Sequence, residues 1–192
     1  DYSGESIALS ADGSIVAITG YFDHNLKIWQ YSIPGQTGGQ WTQMGQTIEP
    51  EKSDDSLGYS PDSVALSQDG YILAIGAGYN DNGGSQSGHV RIYKYSTTNS
   101  IWEPYGSNNE YEITGEFVND YAGTSVSLSA DGNIIAIGAT HGQTNGNVRF
   151  YEYSNPGSNN GTWDKFSSIS GSSSDHIGNR VSLSSDGTVV GF

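Results

Sequence analysis

The stretch DYAGTSVSLSADGNIIAIGA at 120–139 decides the fold, because its central part, SVSLSADG, occurs four times along the chain. The other three copies are SIALSADG at 6–13, SVALSQDG at 63–70 and RVSLSSDG at 180–187. Successive copies begin 57, 62 and 55 residues apart. Self-similarity at such a period indicates a repeat architecture. We therefore expect the 192 residues to form one continuous array.

Hydrophobic periodicity within this stretch predicts β-strands. Val126 and Leu128 alternate with serines, as in a strand with one apolar face. The dipeptide Asp131-Gly132 then predicts a two-residue hairpin turn of type I′, since glycine tolerates a positive φ. The following NIIAIGA is almost continuously apolar, which indicates a strand buried on both faces. NVRFYEY at 147–153 alternates again and predicts a third strand.

The other copies follow the same order, and in each a polar loop leads from the third strand to a tryptophan that opens a weaker fourth strand. Three strong strands and one weak strand per repeat describe one blade of a β-propeller. We predict an all-β fold with about three four-stranded antiparallel blades and the start of a fourth, in an incomplete ring. A sandwich or another antiparallel sheet is the alternative. The predicted repeats span approximately 1–54, 55–119, 120–174 and, in part, 175–192.

Composition supports this prediction and excludes several function classes. Only 34% of the residues are hydrophobic and 27 are glycines, which suits an all-β chain with many tight turns. The net charge of −14 would repel a phosphate backbone, so we expect no nucleic-acid partner. The absence of cysteine excludes disulfides and cysteine-ligated zinc. No apolar run is long enough to cross a bilayer, so no membrane insertion is expected.

Each repeat also opens with the pattern Asp-x-x-Gly. Such a pattern predicts a turn in which the aspartate caps backbone N–H groups and the glycine supplies an unusual φ. The alternative is a ring of carboxylates that binds metal. We favour the turn, because a residue present in every repeat usually reflects what each blade needs to fold. The four copies are Asp1–Gly4, Asp55–Gly58, Asp120–Gly123 and Asp175–Gly178.

The segments Gly123–Ala139 and Gly146–Tyr151 resemble the FG-GAP type of propeller repeat found in integrin α-subunits. The first repeat also resembles a WD-repeat, although the period is too long for that family. The FG-GAP resemblance implies a propeller used for adhesion or assembly, without catalytic chemistry. Integrin-like blades hold calcium in an acidic Asp-x-Asp-x-Asp-Gly loop. The hairpins here are only Ala-Asp-Gly or Gln-Asp-Gly, too short to supply six oxygens, so that calcium site does not carry over.

Two other loops carry candidate sites. Asn80, Asp81 and Asn82 offer oxygen atoms among glycines and form a candidate calcium site, with an ordinary polar loop as the alternative. No other cofactor is expected. Asn160, in Asn-Gly-Thr, is the single glycosylation sequon and lies in a polar loop, where a glycan would fit if the protein is secreted.

Histidines and serines give no catalytic pattern. The histidines show no paired ligand spacing, so we predict that they are scattered over the surface. No serine is tied to a base, so no Ser-His-Asp set is proposed and no enzyme is expected. The four histidines are His24, His89, His141 and His176.

Tyrosine is unusually frequent, at 13 residues. Those in the third strands are expected to pack between blades, whereas others are candidates for loop or edge exposure. Exposed aromatics among asparagine, glycine and serine form good binding surfaces for sugars or proteins. The candidates for exposure are Tyr79, Tyr105, Tyr111 and Tyr121.

The array begins and stops within repeats, and three blades and a fraction do not close a ring. We expect a protein partner, or remaining blades of the same polypeptide, to cover both open ends. The predicted function is a non-catalytic structural or adhesive interaction module of a larger cell-surface or secreted protein or assembly. A carbohydrate-binding propeller that uses loop aromatics is the main alternative, and an enzyme whose site lies in absent blades is a weaker one. The sequence does not identify ligand-binding residues.

Overall fold

The computed structural model describes residues 3–20, 24–52, 55–108, 110–141, 146–172, 175 and 177–192. This part of the chain contains strands and turns, and no helix in it has the length and apolarity to cross a membrane. The strands form four antiparallel sheets in chain order. The first is β1 (Ser3–Leu9), β2 (Ile15–Gly20), β3 (Leu26–Tyr31) and β4 (Trp41–Gln43).

The second and third sheets repeat this order, and the fourth contains two short strands. The fourth strand of the second sheet is divided in two, and both parts pair with the same third strand. The second sheet comprises β5 (Val64–Leu66), β6 (Ile72–Ala77), β7 (His89–Ser96), β8 (Ile101–Pro104) and β9 (Glu112–Thr114). The third comprises β10 (Ala122–Leu128), β11 (Ile134–Ala139), β12 (Asn147–Tyr153) and β13 (Trp163–Ser170). The fourth comprises β14 (Ser182–Leu183) and β15 (Val190–Gly191).

Backbone hydrogen bonds connect the first hairpin of each sheet to that of the next. The Ala11 amide donates to the Gln68 carbonyl at 2.9 Å, and the Gln68 amide donates to the Ala130 carbonyl at 2.8 Å. The Ala130 amide continues the series by donating to the Ser185 carbonyl at 2.7 Å. The first strands therefore lie side by side around a common axis, and each sheet is a blade.

The hydrophobic core lies between the blades. Leu73 and Ile75 pack toward blade 1, whereas Ile72 and Ala74, which alternate with them on β6, pack toward blade 3. Every residue of β6 is buried, as its continuous apolar sequence predicted. On β2, buried and half-buried residues alternate, because one face of blade 1 is not covered. The all-β propeller prediction is confirmed, and the blades of the described residues form an open arc.

The Asp-Gly hairpins differ from the predicted turn. Gly132 has a φ of +70°, but Asp131 does not have a positive φ, so the two-residue type I′ turn is wrong. Ser129 pairs with Ile134 across a four-residue loop, with its Oγ donating to Asp131 Oδ1 at 2.6 Å and accepting the Ile134 amide at 3.0 Å. The same carboxylate oxygen accepts the Asn133 amide. The repeated Ser-x-Asp-Gly motif is thus a side-chain network that closes each hairpin.

The Asp-x-x-Gly segments form the predicted turns. Asp55 Oδ2 accepts the Lys52 amide at 2.8 Å, and Asp120 Oδ2 accepts the Glu116 amide at 3.1 Å. Gly123 has a φ of +90°, which a residue with a Cβ rarely adopts. Asp1 lies outside the described residues.

Candidate functional site

Two kinds of connection meet at one end of the blades, which we call the loop end. Because neighbouring strands are antiparallel, the loops between second and third strands emerge at the same end as the connections from one blade to the next. The Ser-x-Asp-Gly hairpins lie at the opposite end. The loops between second and third strands at this end differ in length and sequence between the repeats.

A row of five aromatic rings crosses the loop end from blade 1 to blade 3. Neighbouring ring centroids are 6.0, 6.0, 5.4 and 5.0 Å apart along the row. The rings come alternately from loops and from connections between blades. We call this set the aromatic row, and it consists, in order, of His24, Tyr59, Tyr79, Tyr121 and His141.

Two members of this row have strained backbone conformations, and hydrogen bonds hold one of them in place. His24 and Tyr121 have φ values of +49° and +55°, a region that non-glycine residues occupy at a cost of roughly 1–3 kcal/mol. Tyr121 Oη donates to Gln86 Oε1 at 2.6 Å, and its amide donates to the Gln86 carbonyl. Tyr79 keeps 40% of its surface exposed, and His141 is also exposed. The row therefore presents fixed aromatic side chains to solvent.

Three potential metal ligands converge at the loop end of blade 2. Glu51 lies on the connection between β4 and β5, His89 begins β7, and Glu112 lies on β9. One ligand atom from each of the three lies within 4.8 Å of the other two. We call this set the Glu51–His89–Glu112 cluster. It forms because β9 pairs with β7 and brings Glu112 opposite Arg91.

Burial and charge determine the protonation of this cluster. Burial, reinforced by the Arg91 charge, lowers the pKa of His89 to about 4, so its imidazole is neutral. Burial and the facing Glu51 carboxylate raise the pKa of Glu112 to about 7. Burial also acts to raise the pKa of Glu51, but hydrogen bonds with Glu112 and Asn82 outweigh it and lower that pKa.

Within the described residues, blade 3 lacks the equivalents of two members of this cluster. Strand register places Asn147 of blade 3 where blade 2 has His89, and Ser168 where it has Glu112. In blade 3 the buried Arg149 instead forms an ion pair with the buried Asp120. A site made by residues that differ between blades is a better functional candidate than a feature that every blade repeats.

The predicted calcium loop lies beside this cluster. Asn80 is buried, and its Oδ1 accepts the Asn82 amide at 2.8 Å. Asp81 Oδ1 accepts the Gln86 amide at 2.7 Å. Asn82 Nδ2 donates to Glu51 Oε2 at 2.6 Å. Two of the three side chains thus bind amides of their own loop and the third orients Glu51, and calcium binding by the three together stays a prediction.

The sequon residue Asn160 is exposed in the loop between β12 and β13. Its amide donates to Ser158 Oγ at 3.3 Å, and its side chain lies at the surface. A glycan would therefore fit here without displacing the core. Glycosylation stays a prediction.

Two predictions of exposure are wrong. His89 is only 1% exposed, because its strand position lies beneath the connection that carries Glu51. Tyr105 is fully buried, with its ring 4.0 Å from that of Tyr153 and 6.0 Å from that of Trp163. Tyr111 is half-buried against Tyr93. His176 lies outside the described residues.

Comparison with known proteins identifies the fold. No protein-family model matches the chain, and no curated protein sequence matches it. A putative 6-phosphogluconolactonase from Bacteroides fragilis superposes with a TM-score of 0.55 at 14% identity, over 85% of this chain and 38% of that one. The periplasmic gluconolactonase of Pseudomonas aeruginosa gives 0.54 at 14% identity, over 88% and 40%.

The β-propeller domain of Cps50 (Swd1) from Myceliophteria thermophila gives a TM-score of 0.53 at 13% identity, over 94% of this chain and 46% of that one. The chain therefore spans less than half the length of each of these structures. At sequence identities this low, the structural similarity supports the fold alone. The FG-GAP resemblance therefore stays a prediction. The chain has the fold of a β-propeller.

Proposed function

We propose that this chain is a non-catalytic β-propeller module that binds a protein partner through its loop end. The aromatic row is the observation that carries this proposal. It spans three blades, and none of its five rings belongs to the hydrophobic core clusters between the blades. Tyrosine presents a large, rigid and amphipathic surface, and for this reason it is common in protein-binding sites.

The orientation of the rings favours a protein over a sugar. Tyr79 stands edge-to-face against both Tyr59 and Tyr121, with interplanar angles of 79° in each case. Tyr121 and His141 are also steeply inclined, at 62°. The rings therefore form a ridged surface and not a flat platform on which a pyranose ring would stack. The net charge of −14 suits a partner with a basic surface.

Glycan binding is the second candidate, and the exposure of Tyr79 and His141 supports it. Asp81 and Asn82 are exposed in the same loop as Tyr79 and would supply polar contacts to hydroxyl groups. Small-ligand sites combine aromatic side chains with a few polar groups, and this part of the loop end supplies both.

The module is also proposed to belong to a larger cell-surface or secreted protein or assembly, with an adhesive or structural role. The FG-GAP resemblance and the exposed sequon at Asn160 support this location. Partners or further blades against the two open faces of the arc are part of the same proposal. The uncovered face of β2 supports it.

A pair of matched variants tests binding at the loop end. Tyr79→Ser removes the central ring of the aromatic row, and Ile101→Ser removes a side chain of similar exposure, 41% against 40%, from the opposite end of blade 2. Biotinylated wild-type and variant chains are incubated with surface and secreted protein fractions of the source cells and with a glycan array. Bound species are quantified by mass spectrometry or fluorescence.

A protein that binds the wild type and Ile101→Ser but not Tyr79→Ser supports the first proposal. Loss of a specific glycan signal in Tyr79→Ser alone supports the second candidate instead. Equal binding by all three chains excludes the loop end as the binding surface. Hydrolysis of δ-gluconolactone, or of any ester or glycan, by the wild-type chain contradicts a non-catalytic role.

A further inference from the structure

The Glu51–His89–Glu112 cluster contains a buried imidazole nitrogen that has no hydrogen-bond partner among the described residues. His89 is 99% removed from solvent, and its Nδ1 has no hydrogen-bond partner. A buried polar atom without a partner is rare in folded proteins and destabilises them. One nitrogen of this ring lies within 4.8 Å of carboxylate oxygens from both Glu51 and Glu112. The imidazole thus lies beside two carboxylates that could bind the same metal ion.

We propose that this cluster binds one divalent transition-metal ion, with Zn²⁺ as the expected occupant. One imidazole nitrogen and two carboxylate oxygens are a ligand set that zinc uses in proteins, with water completing the tetrahedron. Calcium is a poor match, because it requires six to eight oxygen ligands and does not favour nitrogen.

The geometry needs only side-chain adjustment to close around the ion. Tetrahedral zinc with bonds near 2.0–2.1 Å places its ligand atoms about 3.3 Å apart. The present separations reach up to 4.8 Å. Glu51 is exposed and Glu112 is half-buried, so both have room to rotate toward the fixed imidazole. Asn82, which donates to Glu51 Oε2, would orient that carboxylate as an outer hydrogen-bond partner.

The charge of the cluster also suits a cation. Arg91 is the nearest fixed positive charge, and its Nη2 donates to the Glu49 carbonyl at 2.8 Å while its guanidinium lies 5.9 Å from the centre of the Tyr93 ring. The two carboxyl groups of the cluster can carry two negative charges against this single positive charge, which leaves a net attraction for a cation. A bound ion would connect the segment before β5 to β7 and β9, which would fasten the loop end of blade 2.

Blade 3 supplies the test substitutions. His89→Asn introduces the residue found at the same position in blade 3, and Glu112→Ser does the same for the second ligand. Both replacements are tolerated by this fold in blade 3. Glu116→Gln is the matched control, since Glu116 precedes its Asp-x-x-Gly aspartate by four residues, as Glu51 does.

The measurement is isothermal titration calorimetry of the full 192-residue chain with ZnCl₂ and, separately, with CaCl₂. We expect one Zn²⁺ per chain, at least about tenfold weaker binding in His89→Asn and in Glu112→Ser, and unchanged binding in Glu116→Gln. Zinc should also raise the thermal midpoint of the wild type and not that of His89→Asn. X-ray absorption at the zinc edge should show one imidazole ligand.

Equal zinc binding by all four chains would show adventitious surface binding and overturn the proposal, as would no binding at all. One tightly bound Ca²⁺ in preference to Zn²⁺ would overturn the choice of metal. Circular dichroism identifies any variant that fails to fold, and in that event Glu51→Gln, which alters an exposed side chain, replaces it in the comparison.

Discussion

One position on the third strand carries a positively charged residue in blades 1, 2 and 3, but the role of that residue differs between blades. Lys27, Arg91 and Arg149 occupy equivalent places on the three third strands. Lys27 is exposed on the first blade. Arg149 is 2% exposed, and its Nη2 is paired with Asp120, which is fully buried. The environment supplied by the neighbouring connection, and not the strand sequence, determines what each cation contributes.

We predict that Arg149→Met lowers the free energy of unfolding by about 3–5 kcal/mol, because it leaves the buried Asp120 carboxylate without its partner. Lys27→Met, at the same strand position, should change it by less than about 0.5 kcal/mol. Urea unfolding at pH 7, followed by tryptophan fluorescence, gives both values. Similar losses in the two variants would contradict a specific role for the buried pair.

The hairpin aspartate Asp186 is expected to make the fold sensitive to acid. Hydrogen bonds from Ser184 and Thr188 lower the pKa of Asp186 to about 2, below its ordinary value of 3.8. Because the folded pKa is the lower one, this contribution to stability is complete above about pH 4 and is lost as the pH falls toward 2. NMR titration of the Asp186 carboxyl carbon measures the pKa directly.

Ser184→Ala removes the strongest of these hydrogen bonds and should return the pKa of Asp186 toward 3.8. Ser185→Ala, next to it in the chain, alters a side chain outside this network and serves as the control. An unchanged pKa in Ser184→Ala would mean that the hydroxyl does not stabilise the carboxylate.

At the scale of the strand, hydrophobic patterns were sufficient to predict the blades. The continuous apolar run of β6 predicted burial on both faces, and every residue there is buried. The turn type was not predicted correctly, because the Ser129 hydroxyl and the Asp131 carboxylate close a longer loop than the Asp-Gly pair indicates. The division of the fourth strand into β8 and β9 was also missed, since short polar segments carry little periodicity.

The Glu51–His89–Glu112 cluster was missed for a related reason. Its residues are far apart in sequence, and they meet only through the pairing of β9 with β7. No spacing rule for metal ligands applies to such a set. Aligning the repeats would have marked His89, because the equivalent residue in blade 3 is Asn147, and would have marked Glu112 opposite Ser168. Positions at which the repeats differ therefore indicate candidate site residues.

Close contact between blades depends on glycine at one position of the second strand. A Cβ built on Gly76 would lie 2.0 Å from the Gly123 carbonyl oxygen of the next blade, so the two backbones touch. Gly76→Ala should therefore lower the free energy of unfolding by roughly 3 kcal/mol, at the upper end for overpacking. Denaturant unfolding checks this value.

The control for this contact is Gly78→Ala, just beyond the same strand. A Cβ there would meet its nearest neighbour, Thr124 Oγ1, at 3.4 Å, which is ordinary van der Waals contact. Neither glycine has a positive φ, so backbone strain does not separate the two variants. We expect a change of less than about 0.5 kcal/mol for Gly78→Ala, and an equal loss in both would contradict the steric explanation.

Across the whole molecule, each blade contacts the next through the same set of groups. Trp102 Nε1 donates to the Met44 carbonyl at 2.8 Å, and Trp163 Nε1 donates to the Tyr105 carbonyl at 2.9 Å, each reaching from one blade to the preceding one. Trp41 holds the equivalent position in blade 1, where it is 45% exposed. The outer face of blade 1 therefore corresponds to the faces that blades 2 and 3 bury, but no other blade of the described residues covers it.

This outer face is predicted to cause self-association. Trp41 lines an apolar groove of about 350 Å³ with Val16, Ile18 and Trp29, and Leu9 nearby is 59% exposed. A contiguous exposed apolar patch of this kind favours contact with a second copy. Blades 2 and 3 bury the equivalent face against the preceding blade, so this face has the shape of a blade interface. Sedimentation velocity should show species larger than 20.4 kDa at micromolar concentration. Moderate salt is needed, so that the charge of −14 is screened beyond about 8 Å.

The double variant Leu9→Ser, Trp41→Ser should sediment as a monomer, whereas Ile101→Ser, with a similarly exposed side chain on the edge of blade 2, should still associate. All three positions lose an apolar side chain. The comparison therefore distinguishes association through the open face of blade 1 from nonspecific hydrophobic association. A wild-type chain that remains monomeric across the concentration range would show that the outer face of blade 1 is stable in water. The partial exposure of alternate residues on β2 would then be a property of the folded arc and not a sign of a missing neighbour.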